Sequence, residues 1–216
     1  MLSVVGAAIG TMGMSKRVSI VGNGPVSAGS GAAINAADVV IRFNEPWQSP
    51  DEIGSKTDIL FLVNSGKSMQ ARLANERYLD SKLFREAKEI ILPYHPSVIA
   101  KYHGRPNLLS WLKGRRADWT WQTIEALGKR GKPVTVLPAS LYEKSCDELG
   151  IPRTQMRKLF PSTGFIAIRY ALDRFLSPEW HVELRGFGWT GWKRHDWERE
   201  KSWVRRKVEE GTLVLG

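Results

Sequence analysis

Short apolar runs, most of them rich in β-branched residues, recur along the chain at 17–21, 39–43, 58–63, 89–93, 133–137, 181–186 and 212–215. Runs of this length, several bounded by Gly, Pro, Asn or Asp, read as strands. Stretches with helical spacing fall between most of them, at 32–37, 67–87 (broken), 117–127, 141–150, 163–175 and 197–210. Alternation of this kind predicts an α/β domain with a largely parallel sheet flanked by helices. In such sheets a ligand sits beyond the carboxyl ends of the strands. The segment 93–116 has little periodicity and carries Tyr94, His95, Tyr102, His103, Trp111 and several basic residues. It reads as loop-rich, either a packed surface loop or a rim that contacts sugars or phosphates.

Composition changes this picture in three ways. At 216 residues and 42% hydrophobic, the chain has enough apolar material for one sizeable core, so 14–216 is expected to form a single domain. Cys146 is the only cysteine, which excludes an intramolecular disulfide and a thiolate metal cluster and favours a reducing compartment. The formal charge of +10 favours anionic partners such as nucleic acid, phospholipid head groups or an acidic lipid-linked saccharide. The basic residues are scattered, and each cluster alone reads as a solvated face. Leu2 to Met14 is uncharged, too short to span a bilayer and preceded by no basic residue, so it is not read as a signal peptide. Residues 1–13 read as a frayed arm or an extension before a start at Met14.

Four constellations carry candidate chemistry. In VSIVGNGPVSAGSG (18–31), Gly22, Gly24, Gly29 and Gly31 follow a strand, where backbone N–H groups can turn toward a phosphate or ribose. The dinucleotide fingerprint requires a glycine where Ser27 stands, and no acidic residue ends the second strand, so an NAD site is disfavoured. No P-loop pattern occurs. In IRFNEP (41–46), Arg42 and Asn44 share one strand face, which reads as a solvated edge or as ligand-facing. If the first two strands are neighbours, Asn23 and Asn44 reach the same ligand, and two amides suit a base or ribose. In FPSTGFIAIRYALDRF (160–175), Ser162 is a helix cap and Phe165, Ile168, Leu172 and Phe175 form an apolar stripe. Ser162, Thr163, Gly164 and the first-turn N–H groups together suit a phosphate. In RGFGWTGWKRHDWEREKSW (185–203), His195 and Glu200 are five apart and cannot share a helix face, so His195 is expected to precede the helix and face the strand ends. From spacing alone, a structural and a catalytic His195 both stand.

These motifs resemble the sialyltransferases of glycosyltransferase family 29. VGNGPVSAGSGAAINAADVVIRFNEP with GSKTDI is similar to the large sialylmotif, PSTGFIAIRYAL with VELRGFG to the small one, and HDWERE to the very short one, in family order. The resemblance implies a Rossmann-like domain of GT-A variant type and a metal-independent, inverting transfer from a CMP-activated acidic sugar, sialic acid or Kdo, with no cofactor. It implies donor contacts at Gly22, Asn23, Gly24, Asn44, Ser162, Thr163 and Gly164, a general base at His195 and a supporting Glu200. A saccharide or glycolipid would be the acceptor. Lys193 and Arg194 are candidates to stabilise the leaving phosphate. No DxD triplet, the usual metal-bridging signal, is present. The chain departs from animal members, which pair a cysteine of the large motif with one of the small motif, in lacking a cysteine in either, which fits a bacterial cytoplasmic form. It also lacks the extra histidine motif before His195 and is short for the family. The charge further leads us to expect peripheral contact with the anionic inner face of a bacterial membrane and no specific nucleic-acid target. The reading from another class is a module that binds nucleotide or nucleic acid without turnover. The clustering of Trp189, Trp192, Trp197 and Trp203 around His195 favours the transferase.

Overall fold

The computed structural model describes residues 15–45 and 49–216; the expected N-terminal extension lies outside them. All seven expected strands form: β1 (Lys16–Val21), β2 (Val39–Phe43), β3 (Ile59–Phe61), β4 (Glu89–Leu92), β5 (Val134–Val136), β6 (Trp180–Arg185) and β7 (Val214–Leu215). They pair in parallel throughout, in the order β5-β4-β3-β2-β1-β6-β7. The chain winds outward from β1 to β5, then returns to place β6 on the other side of β1. That reversal creates a crevice beyond the carboxyl ends of β1 and β6, where doubly wound sheets hold ligands.

Both faces of the sheet are covered, so the central strands are apolar on both sides. Val18, Ile20, Ile41, Phe43, Phe61 and Ile91 belong to one core with Phe165, Ile166 and Ile168. Leu60, Leu62, Ile90 and Leu92 belong to a second with Met69, Tyr78, Phe84 and Leu127, while Val21 and Val40 pack with Ile34 of α1 (Ser30–Asn35). Period-two alternation thus sends neighbouring strand residues into opposite layers.

Arg42 departs from the sequence reading. It is 2% exposed, donating Nη2 to the carbonyls of Ile53 (2.7 Å) and Gly54 (3.1 Å) and Nε to that of Lys56 (3.0 Å). β2 lies between β1 and β3 and has no solvated edge, so Arg42 closes the end of α2 (Pro50–Ile53). Burial lowers its pKa to about 10.

The broken helical stretch resolves into α3 (Gly66–Leu73), α4 (Glu76–Leu79) and α5 (Lys82–Glu86). The segment expected to be loop-rich contains two short helices, α6 (Pro96–Tyr102) and α7 (Leu108–Leu112). His95 and Asn107 cap them, accepting from the Ser97 and Ser110 N–H groups. The remaining helices are α8 (Thr120–Gly128), α9 (Ala139–Glu148), α10 (Thr163–Arg174) and α11 (Trp197–Glu209). Among the described residues no helix is long and apolar enough to cross a membrane.

Candidate active site

The first glycines of the β1 loop serve closeness. A Cβ on Gly22 would lie 2.3 Å from the Gly186 carbonyl oxygen, and one on Gly24 would lie 2.8 Å from it. The Gly22 and Gly24 N–H groups donate to the carbonyls of Arg185 (2.8 Å) and Gly186 (2.7 Å). They are therefore spent on joining the β1 and β6 loops, leaving Asn23 exposed between them. Asn23 Nδ2 approaches the Phe43 carbonyl at a long 3.5 Å, bringing it to the end of β2.

Asn44 ends β2 with φ 47°. Its Oδ1 accepts from Val63 N–H (3.0 Å) and its carbonyl from the Tyr78 hydroxyl (2.8 Å), which fixes the side chain against β3. Asn44 and Trp189 (φ 51°) are the only non-glycine residues with positive φ among the described residues, and both line the same cavity. Backbone held in this uncommon region persists where surrounding structure over-determines it, often at functional sites.

Ser162 caps α10 by accepting from Phe165 N–H (3.0 Å). Its own N–H and hydroxyl donate to the two carboxylate oxygens of Glu200, at 2.7 and 2.6 Å. Glu200 is 1% exposed, and burial raises its pKa to about 7 against the opposing pull of those two Ser162 bonds. Ser162 is thereby fully engaged. The first-turn N–H groups of Thr163 and Gly164 have no intrahelical acceptor, and both residues line the cavity. A Cβ on Gly164 would stand 3.1 Å from the Phe187 ring, a contact tight enough that the ring would have to shift to admit it.

His195 precedes α11, as expected. Phe160 N–H donates to the Arg194 carbonyl (2.9 Å), and His195 Nδ1 lies 2.8 Å from the Phe160 carbonyl. A carbonyl has no proton to give, so Nδ1 carries the hydrogen and Nε2 keeps its lone pair. Trp192 and Trp197 stand edge-on to the ring, with centroids 5.1 and 5.0 Å away. Burial holds the imidazole below its usual pKa, with Arg194 adding to the effect and the Phe160 bond opposing it. Glu200 grips Ser162 two residues beyond Phe160, so one chain segment carries both the α10 cap and the acceptor that orients His195.

Two cavities meet at this histidine. The first, about 520 Å³, is lined by the 22–24 and 186–191 loops, Ser162, Thr163 and Gly164. The second, about 650 Å³, is lined by residues including Lys67, Arg72, Tyr94, His103 and Arg194. Asn44, Thr163, Trp192 and His195 line both. The structure thus brings Gly22, Asn23, Gly24, Asn44, Ser162, Thr163, Gly164 and His195 to one cavity, with Glu200 buried behind it. Lys193 is exposed and lines neither cavity. Arg194 lines only the second, its guanidinium stacked 4.5 Å from the Phe160 centroid and bonded to the carbonyls of Lys158 (3.2 Å) and Arg157.

Of the second cavity's side chains, sequence reasoning named Tyr94 and His103 in the candidate rim and Arg194 as a phosphate candidate, but it gave no role to Lys67 or Arg72. Arg72 Nε and Nη1 are shielded from solvent yet have no hydrogen-bond partner among the described residues. His103 packs against Tyr94 and Phe160, and burial lowers its pKa to about 4. Nothing in the sequence marks Arg72, which sits in an ordinary-looking polar helix.

Three comparisons bear on this geometry. The chain is 28% identical over 203 residues to the urease operon 23 kDa accessory protein of Rhizobium meliloti (strain 1021), covering 91% of this chain and 90% of that one. Its fold is similar to that of a mammalian sialyltransferase crystal structure, with a TM-score of 0.51 at 16% identity over 94% of this chain and 69% of the other. It is also similar to the sialyltransferase CstII from Campylobacter jejuni in complex with cytidine-5'-monophosphate, with a TM-score of 0.52 at 12% identity over 93% and 78% of the two chains. The family model for glycosyltransferase family 29 (sialyltransferase) matches residues 11–207, which takes in both loops, the α10 cap and His195. With that match across nearly its whole length, the chain belongs to glycosyltransferase family 29, the sialyltransferase family.

Proposed function

We propose that this protein is an inverting, metal-independent transferase that moves an acidic ulosonic sugar, sialic acid or Kdo, from its CMP ester to a saccharide acceptor, with His195 as general base. The observation that carries the reading is the position of His195, at the junction of two cavities with Nδ1 committed to Phe160. The first cavity takes the donor and the second the acceptor.

In the reaction the acceptor hydroxyl oxygen forms a bond to the anomeric carbon while the bond from that carbon to the phosphate oxygen of CMP breaks. His195 Nε2 takes the hydroxyl proton, a task suited to imidazole near neutral pH. The electron pair leaves with the phosphate, whose charge meets the Thr163 and Gly164 N–H groups at the positive end of α10. Asn23 and Asn44 read the nucleoside, and Glu200 acts as a positioning residue through Ser162. Among the described residues no Asp or Glu lines the donor cavity, so the leaving phosphate is met there by N–H groups and not through a carboxylate-held metal. Lys67, Arg72 and Arg194 make the acceptor side basic, which favours an acceptor bearing a carboxylate or phosphate.

The test is CMP release from CMP-sialic acid and CMP-Kdo by the wild type and His195→Ala, with EDTA present, alongside calorimetry of CMP binding. Donor-selective turnover that disappears in His195→Ala, with CMP binding retained, is the expected result. Absence of CMP binding would overturn the reading, and turnover abolished by EDTA would overturn its metal-free part.

A further inference from the structure

α7 presents an unusual surface. Leu108, Leu109, Trp111 and Leu112 are each 60–71% exposed, and no residue of this helix is buried. Single exposed leucines need no explanation, but four large apolar side chains on one five-residue element are a patch. The element is well tied down. Asn107 accepts from Ser110 N–H (2.9 Å), Arg115 N–H donates to the Ser110 carbonyl (3.0 Å), and Gly114 N–H donates to that of Trp111 (2.9 Å).

The flanks decide what this tip meets. From Pro96 to Ala117 the chain carries five cations, Lys101, Arg105, Lys113, Arg115 and Arg116, and no Asp or Glu. Four of the five are exposed. Leucines and a tryptophan at a tip, ringed by Lys and Arg, match the two layers of an anionic bilayer leaflet: acyl chains for the apolar side chains and phosphates for the cations. A second copy of this chain fits badly, because a symmetric contact through the tip would set five cations against five. The tip also springs from the site. His103 and Gly104, just before it, and Ala117, just after it, line the second cavity.

We propose that α7 and its basic flanks dock this protein onto an anionic lipid surface, with the mouth of the second cavity beside the membrane. Lipid binding itself does not depend on the transferase reading. The corollary that the acceptor is membrane-anchored does rest on it.

The experiment is flotation of the full chain with vesicles of phosphatidylcholine alone or mixed with phosphatidylglycerol, at low and high salt, for the wild type, Leu109→Glu/Leu112→Glu and Lys113→Glu/Arg116→Glu. The wild type is expected to float with the anionic vesicles only, and less at high salt. The leucine variant should bind about a hundredfold more weakly and the charge variant about tenfold or more. All of the substituted positions are exposed, so both variants should keep the wild-type circular dichroism and CMP binding. Three results would each overturn the proposal: equal flotation with neutral vesicles, flotation unchanged in the leucine variant, or no flotation with a concentration-dependent dimer that the leucine variant abolishes. Loss of CMP binding in the wild type with flotation intact would sink the transferase reading and leave the docking surface standing.

Discussion

Replacing Glu200 with Gln should change how stability depends on pH, and the size of the change follows from burial. The folded carboxyl has a pKa of about 7, against an ordinary 4.5. The folded state therefore binds more protons than the unfolded state between these values, and this group's contribution to stability falls as pH rises through that window. At pH 5 the penalty is slight, whereas by pH 8.5 it amounts to about 3 kcal/mol, so the difference between the two is about 2–3 kcal/mol. Gln keeps an oxygen for Ser162 N–H and removes the ionisation. Its stability relative to wild type should accordingly improve by about 2–3 kcal/mol between pH 5 and 8.5. His103 and His195, both held below the ordinary imidazole value, tilt stability the opposite way on the acid side, and the difference between variant and wild type cancels them. Urea unfolding at the two pH values measures the effect. Parallel pH profiles for the two proteins would refute the argument that burial raises the pKa of Glu200.

Calorimetry in buffers of different ionisation heat should show wild type taking up part of a proton when CMP binds near pH 7, because the incoming phosphate raises the pKa of Glu200 further; Glu200→Gln should take up measurably less, the remainder coming from His195. Gly22→Ala drives a Cβ to 2.3 Å from the Gly186 carbonyl oxygen, and should cost about 2–3 kcal/mol in denaturant unfolding and weaken CMP binding. Asn64 is buried and joins the ends of β3 and β4, its Nδ2 donating to the Tyr94 carbonyl and Thr120 Oγ1 (both 2.7 Å). Asn64→Ala should therefore lower the unfolding free energy by about 2–4 kcal/mol. Arg72→Gln should raise the KM of an anionic acceptor about tenfold while leaving CMP binding at its wild-type strength. The acid limb of the kcat/KM profile should titrate below 6.5, where His195 loses its lone pair.

The strands were legible because a sheet covered on both faces demands unbroken apolar runs, and Val18–Val21 or Ile90–Leu92 can be little else. The placement of His195 before its helix was legible too, from the five-residue spacing to Glu200, and the structure adds Asp196 as the cap between them. Other features depend on packing between segments far apart in the chain. Arg42 looks solvated until β1 and β3 flank it. Ser162 looks like a free phosphate ligand until Glu200 arrives from α11 to occupy both its donors. The glycine loop reads as a cradle of N–H groups, whereas Gly22 and Gly24 spend theirs on β6, a partner that no local pattern names. The tip at α7 was hidden for another reason: leucines in a segment without periodicity do not reveal which side of the surface they occupy.

The reversal of strand order after β5 also has a temporal consequence. β1 receives its second neighbour only when β6 arrives, and Lys16 and Glu179, paired where these strands begin, are 163 positions apart. During synthesis the first five strands can assemble while β1 still shows an unpaired edge, the kind of edge that invites pairing with another chain. Closing so long a loop is slow. The crevice lined by the 22–24 loop does not exist until it closes, because the 186–191 loop and His195 form its other walls. A nascent chain released early would therefore be sticky and would lack the cavity that the proposed donor needs, so CMP capture would report completed folding.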